Sequence, residues 1–480
     1  MHPEVASSFE TVVTKSFVSL KNKARELKTE SSRSRIDRLK RLRNWIHENR
    51  SSIHEAMYAD FRKHPLEVDT IELFPVLAEI RNAIVNLDDW MSPRKVATPI
   101  TMLGTSSYVR CEPRGVCLII SPWNYPFLLC VGPLVSALAA GNVVILKPSE
   151  LTPHVSSIIM RMTREVFDPS IVECVEGGPS ISQELLKLAF DHIFFTGSPT
   201  VGKVVMKAAA DNLTSVTLEL GGKCPSIITD DADLIDTAER TAVSKFVNNG
   251  QTCIAPDYIL IDEKIADKFI AQLIEQTSKM FGNNDASFDQ SPHYCRIVND
   301  HHFLRLSSLL TEAIEDGAEI RLGGKVDRSS RFIQPTILTQ VSPSSRLMRE
   351  EIFGPILPIM TFKGLDEAIA ILNEQPKPLA LYIFSKHKKV QQRILRETSS
   401  GGACINDSGV HFFQHNLPFG GVNTSGIGKS HGYYGFLDFS NQKAVLKQRW
   451  GFTTTKVFYP PYTGRSARIL DWLFRLLKHS

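Results

Sequence analysis

Between Val116 and Phe384 short apolar runs alternate with stretches whose apolar residues recur at helical spacing, and this alternation restricts the fold more than any other feature of the chain. Runs at Val116–Ile120, Val143–Leu146 and Ile193–Phe195 are separated by helical patterns near Val131–Ala139 and after Thr152-Pro153. Fully apolar strands need cover on both faces, so the pattern predicts βαβ units around a parallel sheet. It resumes with strands at Ile259–Ile261, Thr336–Leu338, Leu357–Phe362 and Ala380–Phe384, and helices near Ile265–Met280, His302–Asp316, Leu365–Asn373 and Val390–Thr398. Two such α/β layers, joined near Leu220–Gly222, predict two lobes with a cleft between them. Upstream, helical spacing over Ser34–Phe61 and Asp69–Trp90 predicts two amphipathic helices. The basic cluster Arg33, Arg35, Arg38, Lys40, Arg41 and Arg43 is expected on the solvated face of the first.

Composition narrows the class. The chain has 480 residues, 42% hydrophobic and 22% charged, with a net charge of +4, which excludes a mini-protein and gives no reason to invoke nucleic acid. Its eight cysteines form no CxxC pair or His/Cys cluster, so neither a zinc site nor a disulfide framework is expected, and no metal. Residues Met1–Val12 contain Glu4 and Glu10 without an apolar core, and no run approaches a membrane-spanning length. The expectation is a large cytoplasmic enzyme.

Five segments carry chemistry. Phe194–Lys203 is a strand, a glycine turn and a helix start, a place where backbone N–H groups could meet phosphate. It fails as a P-loop, because Val204 stands where a hydroxyl must hold magnesium, and it lacks GxGxxG. A plain strand-to-helix connection is an equal reading. Glu219 ends the run Val216–Leu220 beside two glycines, where a carboxylate of raised pKa could act as a base. Cys253 follows the polar turn Asn248-Asn249-Gly250-Gln251-Thr252, as a nucleophilic thiol facing a cleft would; the alternative is a small buried hydrophobe. In Ser121-Pro122-Trp123-Asn124-Tyr125-Pro126, Asn124 could donate to an oxyanion and the aromatic residues could wall a pocket, or the segment is a structural turn. Lys147 and Glu150 end the next strand, where ligands of open α/β sheets bind.

The strings PWNYP, LKPSE, FTGSPTVGK, LELGGK, GQTC, EEIFGP and LPFGG follow in order over roughly Arg114–Phe436. In this the chain resembles the aldehyde dehydrogenase superfamily, and GQTCIAPDY, SSGGACIND and LPFGGVNTSGIGKSHGYYGF are most similar to its class 3, fatty aldehyde dehydrogenase-like branch. The resemblance implies an α/β fold with a Rossmann-type cofactor domain (1–89 and 108–219), a catalytic domain (220–420), bridging and oligomerisation elements (90–107 and 421–452) and a C-terminal tail (453–480). It implies Cys253 as nucleophile, Glu219 as general base and Asn124 as oxyanion donor. Ser121, Trp123, Lys147, Glu150, Gly197, Ser198, Gly202, Leu220, Glu351 and Phe353 would hold the cofactor, NAD with NADP as the second candidate. Tyr125 would touch substrate.

The implied reaction takes an aldehyde through a thiohemiacetal and a thioester to a carboxylic acid. A CoA-acylating dehydrogenase and a non-catalytic protein of the same fold are the alternatives, and the presence of both Cys253 and Glu219 argues against each. The tail carries Ile469, Leu470, Trp472, Leu473, Phe474, Leu476 and Leu477 beside the polar stripe Arg468, Asp471, Arg475 and Lys478. It reads equally as a membrane-surface contact over 465–480, a lid or a subunit contact. In the fatty aldehyde branch this region precedes a membrane segment that the chain lacks. An apolar aldehyde, medium- or long-chain aliphatic or aromatic, is the expected partner, and a homodimer is expected, with Trp90–Arg110 and Gln442–Arg449 pairing across it.

Overall fold

The computed structural model describes residues 3–282 and 287–478; Met1 and His2 of the expected leaderless start, and His479 and Ser480 of the tail, lie outside the described residues. The uninterrupted apolar runs become strands, and Val116–Ile120, Val143–Lys147, Tyr258–Asp262 and Ala380–Phe384 are buried along their whole length. Val116–Ile120 lies in register between Val143–Lys147 and His192–Gly197, all parallel. Burying one such Val, Leu or Ile side chain stabilises the fold by roughly 1.5–3 kcal/mol, so these central strands are strongly specified. With Ser215–Leu220 and Val172–Cys174 they form the six-stranded first sheet, whose outer strand is the short antiparallel Gly426–Ile427.

The second sheet has seven strands, in the order Glu319–Leu322, Thr336–Thr339, Ile356–Phe362, Tyr258–Asp262, Pro225–Ile228, Ala380–Phe384 and Gly402–Ile405. Only the first of these runs antiparallel to its neighbour. The expected helices are present at Leu128–Ala140, Pro153–Val166, Ala266–Phe281, Asp300–Glu315, Leu365–Glu374 and Lys388–Glu397. Two parallel sheets follow one another along the chain, joined at Leu220–Pro225, as the alternation predicted.

Three expectations are corrected. The helix over Ser34–Phe61 is two helices, Ser32–Glu48 and Arg50–Phe61, broken at Asn49, whose side chain donates to the Trp45 carbonyl. Arg35 and Arg38 are not on a solvated face but buried, at 3% and 4% exposure. Arg38 makes a forked pair with Glu30, and Arg35 donates to the Ala139 carbonyl beneath Gly141, where any side chain would collide with the guanidinium. Finally, Ser440–Gln448 pairs with Thr105–Pro113 of the same chain over nine residues, and Arg94–Val96 completes an antiparallel sheet of three strands. The hairpin and the late segment therefore close on each other within one chain, because their register is continuous. Thr105–Pro113 also straddles the expected domain boundary at 107/108, and Gly426–Ile427 joins the first sheet rather than the bridging elements.

The tail forms the helix Gly464–Lys478, with Trp472 and Phe474 exposed. No helix among the described residues is long and apolar enough to cross a membrane.

Candidate active site

The carboxyl ends of the first sheet's parallel strands bring most of the expected cofactor residues to one edge. Ile120 leads into Ser121 and Trp123, Lys147 closes the neighbouring strand, and Gly197 and Leu220 close the next two. The Lys147 ammonium is buried and donates to the Pro148 carbonyl at 2.8 Å and to exposed Glu150 at 3.2 Å. Ser198 caps the helix Pro199–Ala210, accepting from the Val201 N–H. Gly202 lets that helix close on Leu220, whose side chain occupies the place a Cβ would take.

From the second lobe, Phe353 meets the edge of Trp123 with ring centroids 5.3 Å apart. Glu351 lies against Gly221, and burial, with Asp257 nearby, pushes its carboxyl up to about 8, opposed by the Gly222 N–H. Two hydroxyls on this edge, Ser121 Oγ and Thr196 Oγ1, are buried without any hydrogen-bond partner. Buried hydroxyls are rarely left so, and these two sit at the carboxyl ends of strands, where ligands of such sheets bind. The edge thus fits a dinucleotide: an ammonium and a carboxylate for a ribose, a helix N-terminus behind a glycine turn, and unfilled donors between.

The thiol is set by an unusual turn. After the helix Leu234–Phe246, Asn248, Asn249 and Gly250 all take left-handed backbone, with φ of 53°, 56° and 70°. Left-handed backbone costs non-glycine residues roughly 1–2 kcal/mol each, so surrounding bonds must hold the turn. The Asn248 amide donates to the Asn124 and Gln251 carbonyls, Asn249 donates to the Cys295 carbonyl, and Gln251 bonds the Asn248 and Arg296 carbonyls and the Val298 N–H. Asn124, 3% exposed, sends its own amide to the Gln251 carbonyl at 3.0 Å, two residues before the thiol. Tyr125 shares a 2.6 Å hydrogen bond with Thr252 Oγ1. Of the eight cysteines, all unpaired, five are buried, while Cys253 is half-buried like Cys111 and Cys404. Burial first, then the Glu351 and Glu219 carboxylates, push the Cys253 thiol up to about 12, opposed by the backbone N–H groups of Cys253 and Ile254.

Glu219 is 6% exposed. One oxygen accepts from Ser430 Oγ at 2.8 Å and the other has no partner. Burial raises the carboxyl to about 8, with Ser430 and Lys429 pulling the other way and Asp438 adding to the rise. Glu219 and Cys253 both line one chamber, walled by Leu128, Leu129, Phe412 and Phe419 among others. A second apolar chamber, with Tyr125, Val243, Val247 and Val410, also opens on Cys253. Among the described residues, none from the C-terminal tail lines either chamber. The sequence reading missed Ser430, Thr196 and the asparagine ladder at Asn248; Ser430 falls within a quoted string, but the residue it contacts is 211 positions away.

A parallel sheet with a dinucleotide edge, and a thiol and a high-pKa carboxylate in one apolar chamber beside it, define a nucleotide-dependent oxidoreductase of two lobes. The family model described as "Aldehyde dehydrogenase family" matches residues 4–445, and the chain belongs to that family. It is an NAD(P)-dependent enzyme that oxidises aldehydes.

The chain is 45% identical, over 90% of its length and 92% of the relative's, to 4,4'-diaponeurosporen-aldehyde dehydrogenase of Staphylococcus aureus. It is 44% identical to aldehyde dehydrogenase family 3 member A2 of Mus musculus, covering 93% and 90% of the two chains. The solved substrate-bound state of Staphylococcus aureus AldH superposes with a TM-score of 0.91 at 42% identity, over 96% of this chain and 99% of that one. More distant solved structures of the same fold hold cofactor: PnpE with nicotinamide adenine dinucleotide and GapN of Methanocaldococcus jannaschii with NADP, at 25% and 26% identity.

Proposed function

We propose that Cys253 is the nucleophile, Glu219 the general base and Asn124 the oxyanion donor, acting on apolar aldehydes. The observation that carries this reading is that Cys253 and Glu219 open on one apolar chamber. The Cys253 sulfur, as the thiolate once its proton has left to solvent, attacks the carbonyl carbon. The Asn124 amide, already anchored to the Gln251 carbonyl by one N–H, turns its second N–H to the tetrahedral oxyanion, together with the Cys253 backbone N–H. The nicotinamide, when bound, supplies the hydride acceptor that no side chain can supply. Ser121, Trp123, Lys147, Glu150, Gly197, Ser198, Gly202, Leu220, Glu351 and Phe353 orient it. Glu219 then draws a proton from water, which attacks the thioester and releases the acid.

Exposed Glu150 would repel a 2′-phosphate, which favours NAD over NADP. The apolar walls favour a medium- or long-chain aliphatic or aromatic substrate. Tyr125 would lie against that substrate. The chain would work as a cytoplasmic homodimer through the edge strand Ser440–Gln448, where Leu446 and nearby Trp450 are exposed, and would touch membranes through 465–480.

Cys253→Ala is expected to abolish NADH formation from hexanal while NAD still binds, as read by fluorescence quenching; full turnover in that variant would overturn the assignment. With hexanal, hexadecanal and benzaldehyde compared, a preference for acetaldehyde instead would refute the apolar-substrate reading.

A further inference from the structure

Three charged side chains beneath the active-site loops, two buried and one half-buried, have no part in the chemistry described above. Lys63 and Glu72 are both fully buried, with the ammonium 3.1 Å from Glu72 Oε1. Both lie in the N-terminal helical region, at the end of Arg50–Phe61 and in the π-helical turn Asp69–Leu73 that precedes Phe74–Met91. Short π-helical turns inside helices recur at functional sites, because the extra residue re-aims a side chain. Here the turn aims Glu72 inward.

Each charge ends on a different part of the site. Glu72 Oε2 accepts the Leu128 N–H at 2.9 Å, at the start of the helix Leu128–Ala140 that walls the chamber; a carboxylate there also complements the helix dipole. The Lys63 ammonium sits 5.0 Å from the centre of the Tyr125 ring, and the Tyr125 hydroxyl bonds Thr252, the residue before the thiol. Glu67, the third charge, accepts the N–H of Asn248 at 3.0 Å, the first of the three left-handed residues. A buried ion pair contributes little to stability compared with apolar residues of equal volume. Cohesion alone therefore leaves this cluster unexplained, whereas its three attachments all lead to the loops carrying Asn124 and Cys253.

We propose that Lys63, Glu67 and Glu72 are positioning residues that hold the Cys253 turn and the Asn124 loop in reactive register. The proposal rests on Cys253 being the nucleophile. Lys63 fixes Glu72 and the Tyr125 face, Glu67 pins the left-handed turn, and Glu72 pins the helix that follows Tyr125.

The full-length protein carrying Lys63→Met, Lys63→Arg, Glu67→Ala, Glu67→Gln or Cys253→Ser tests it, by steady-state kinetics with hexanal and NAD and by the rate at which iodoacetamide alkylates Cys253, with Cys253→Ser giving the background of the other thiols. Lys63→Met and Glu67→Ala are expected to lower kcat and change the alkylation rate by about tenfold, with KM for NAD held within about twofold, since misplacement by about an ångström has costs of this size or more. Glu67→Gln keeps an acceptor for the Asn248 N–H and is expected to recover most of the loss, as is Lys63→Arg. Should Lys63→Met fail to fold, the Glu67 pair decides alone. Equal kinetics and equal alkylation in Glu67→Ala and Glu67→Gln, or a folded Lys63→Met within about twofold of wild type in both, would overturn the positioning role. Turnover surviving in Cys253→Ser would instead overturn the nucleophile assignment on which it rests.

Discussion

Glu219 carries the strongest conflict between folding and chemistry in this chain. Its carboxyl is raised to about 8 chiefly by burial, so below that pH the base is protonated and cannot accept from water. The deacylation rate is therefore expected to rise with pH and level off above about 8. Ser430 donates to the ionised carboxylate and holds the value down. Ser430→Ala is thus expected to move the rising limb of the kcat profile to higher pH and to lower turnover near neutrality; an unshifted limb would remove Ser430 from this part. The stability sign is also fixed. The folded-state pKa lies above the unfolded value of 4.5, so the folded form binds the proton more tightly, and stability is lost as pH rises from 4.5 to about 8. Glu219→Gln removes that penalty and is expected to raise Tm at pH 8, measured by calorimetry, while a burst of NADH survives and steady turnover is lost. Cys253 and Glu219 could be nominated from the chain alone because each sits in a contiguous motif. Ser430, Lys63 and Glu72 could not, since what gives them meaning is a partner far along the chain or across the fold. Arg35 and Arg38 make the same point in reverse: their spacing reads as a solvated face, and only the distant Ala139 carbonyl and the folding back of Glu30 make burial possible.

Among the elements, the helix Leu128–Ala140 does most to shape the chamber, which it lines with Leu128, Leu129, Gly132, Pro133 and Ser136. Glycine within a helix costs about 1 kcal/mol relative to alanine. At Gly132 no close approach demands it: an added Cβ would meet only Leu128 Cδ1, at 3.9 Å. The glycine leaves space in the chamber instead. Gly132→Leu is expected to cut kcat/KM for hexadecanal about tenfold or more while hexanal stays within about threefold, steric exclusion in an apolar pocket being worth this much. An unchanged chain-length profile would show that substrate does not reach Gly132. The central strands could be read from the sequence since their five-residue runs are buried on both faces. Glu319–Leu322, Val172–Cys174 and Gly402–Ile405 escaped reading because they are short and lie at or next to sheet edges, where one apolar face or none is required.

For the molecule as a whole, the tail and the three-stranded sheet offer separate surfaces. The helix Gly464–Lys478 exposes Leu470, Trp472 and Phe474 beside Arg465, Arg468, Arg475 and Lys478, a composition suited to an anionic lipid surface. A chain lacking residues 464–480 is expected to lose co-sedimentation with phosphatidylserine vesicles, which salt should also weaken in the intact protein, while light scattering still reports a dimer. Loss of the dimer with the tail would assign the helix to a subunit contact instead. The order in which a ribosome delivers these parts matters as well. Domains form N-terminal first during synthesis. Glu219, though, is paired by Gly426 in the antiparallel edge strand and hydrogen-bonded by Ser430. Thr105–Pro113 likewise waits for Ser440–Gln448. A nascent chain of some four hundred residues therefore already holds the thiol and the edge for the nucleotide, yet it lacks the strand and the hydroxyl that set its base. Residues 426–448 thus complete a site whose proposed catalytic and cofactor residues all precede them.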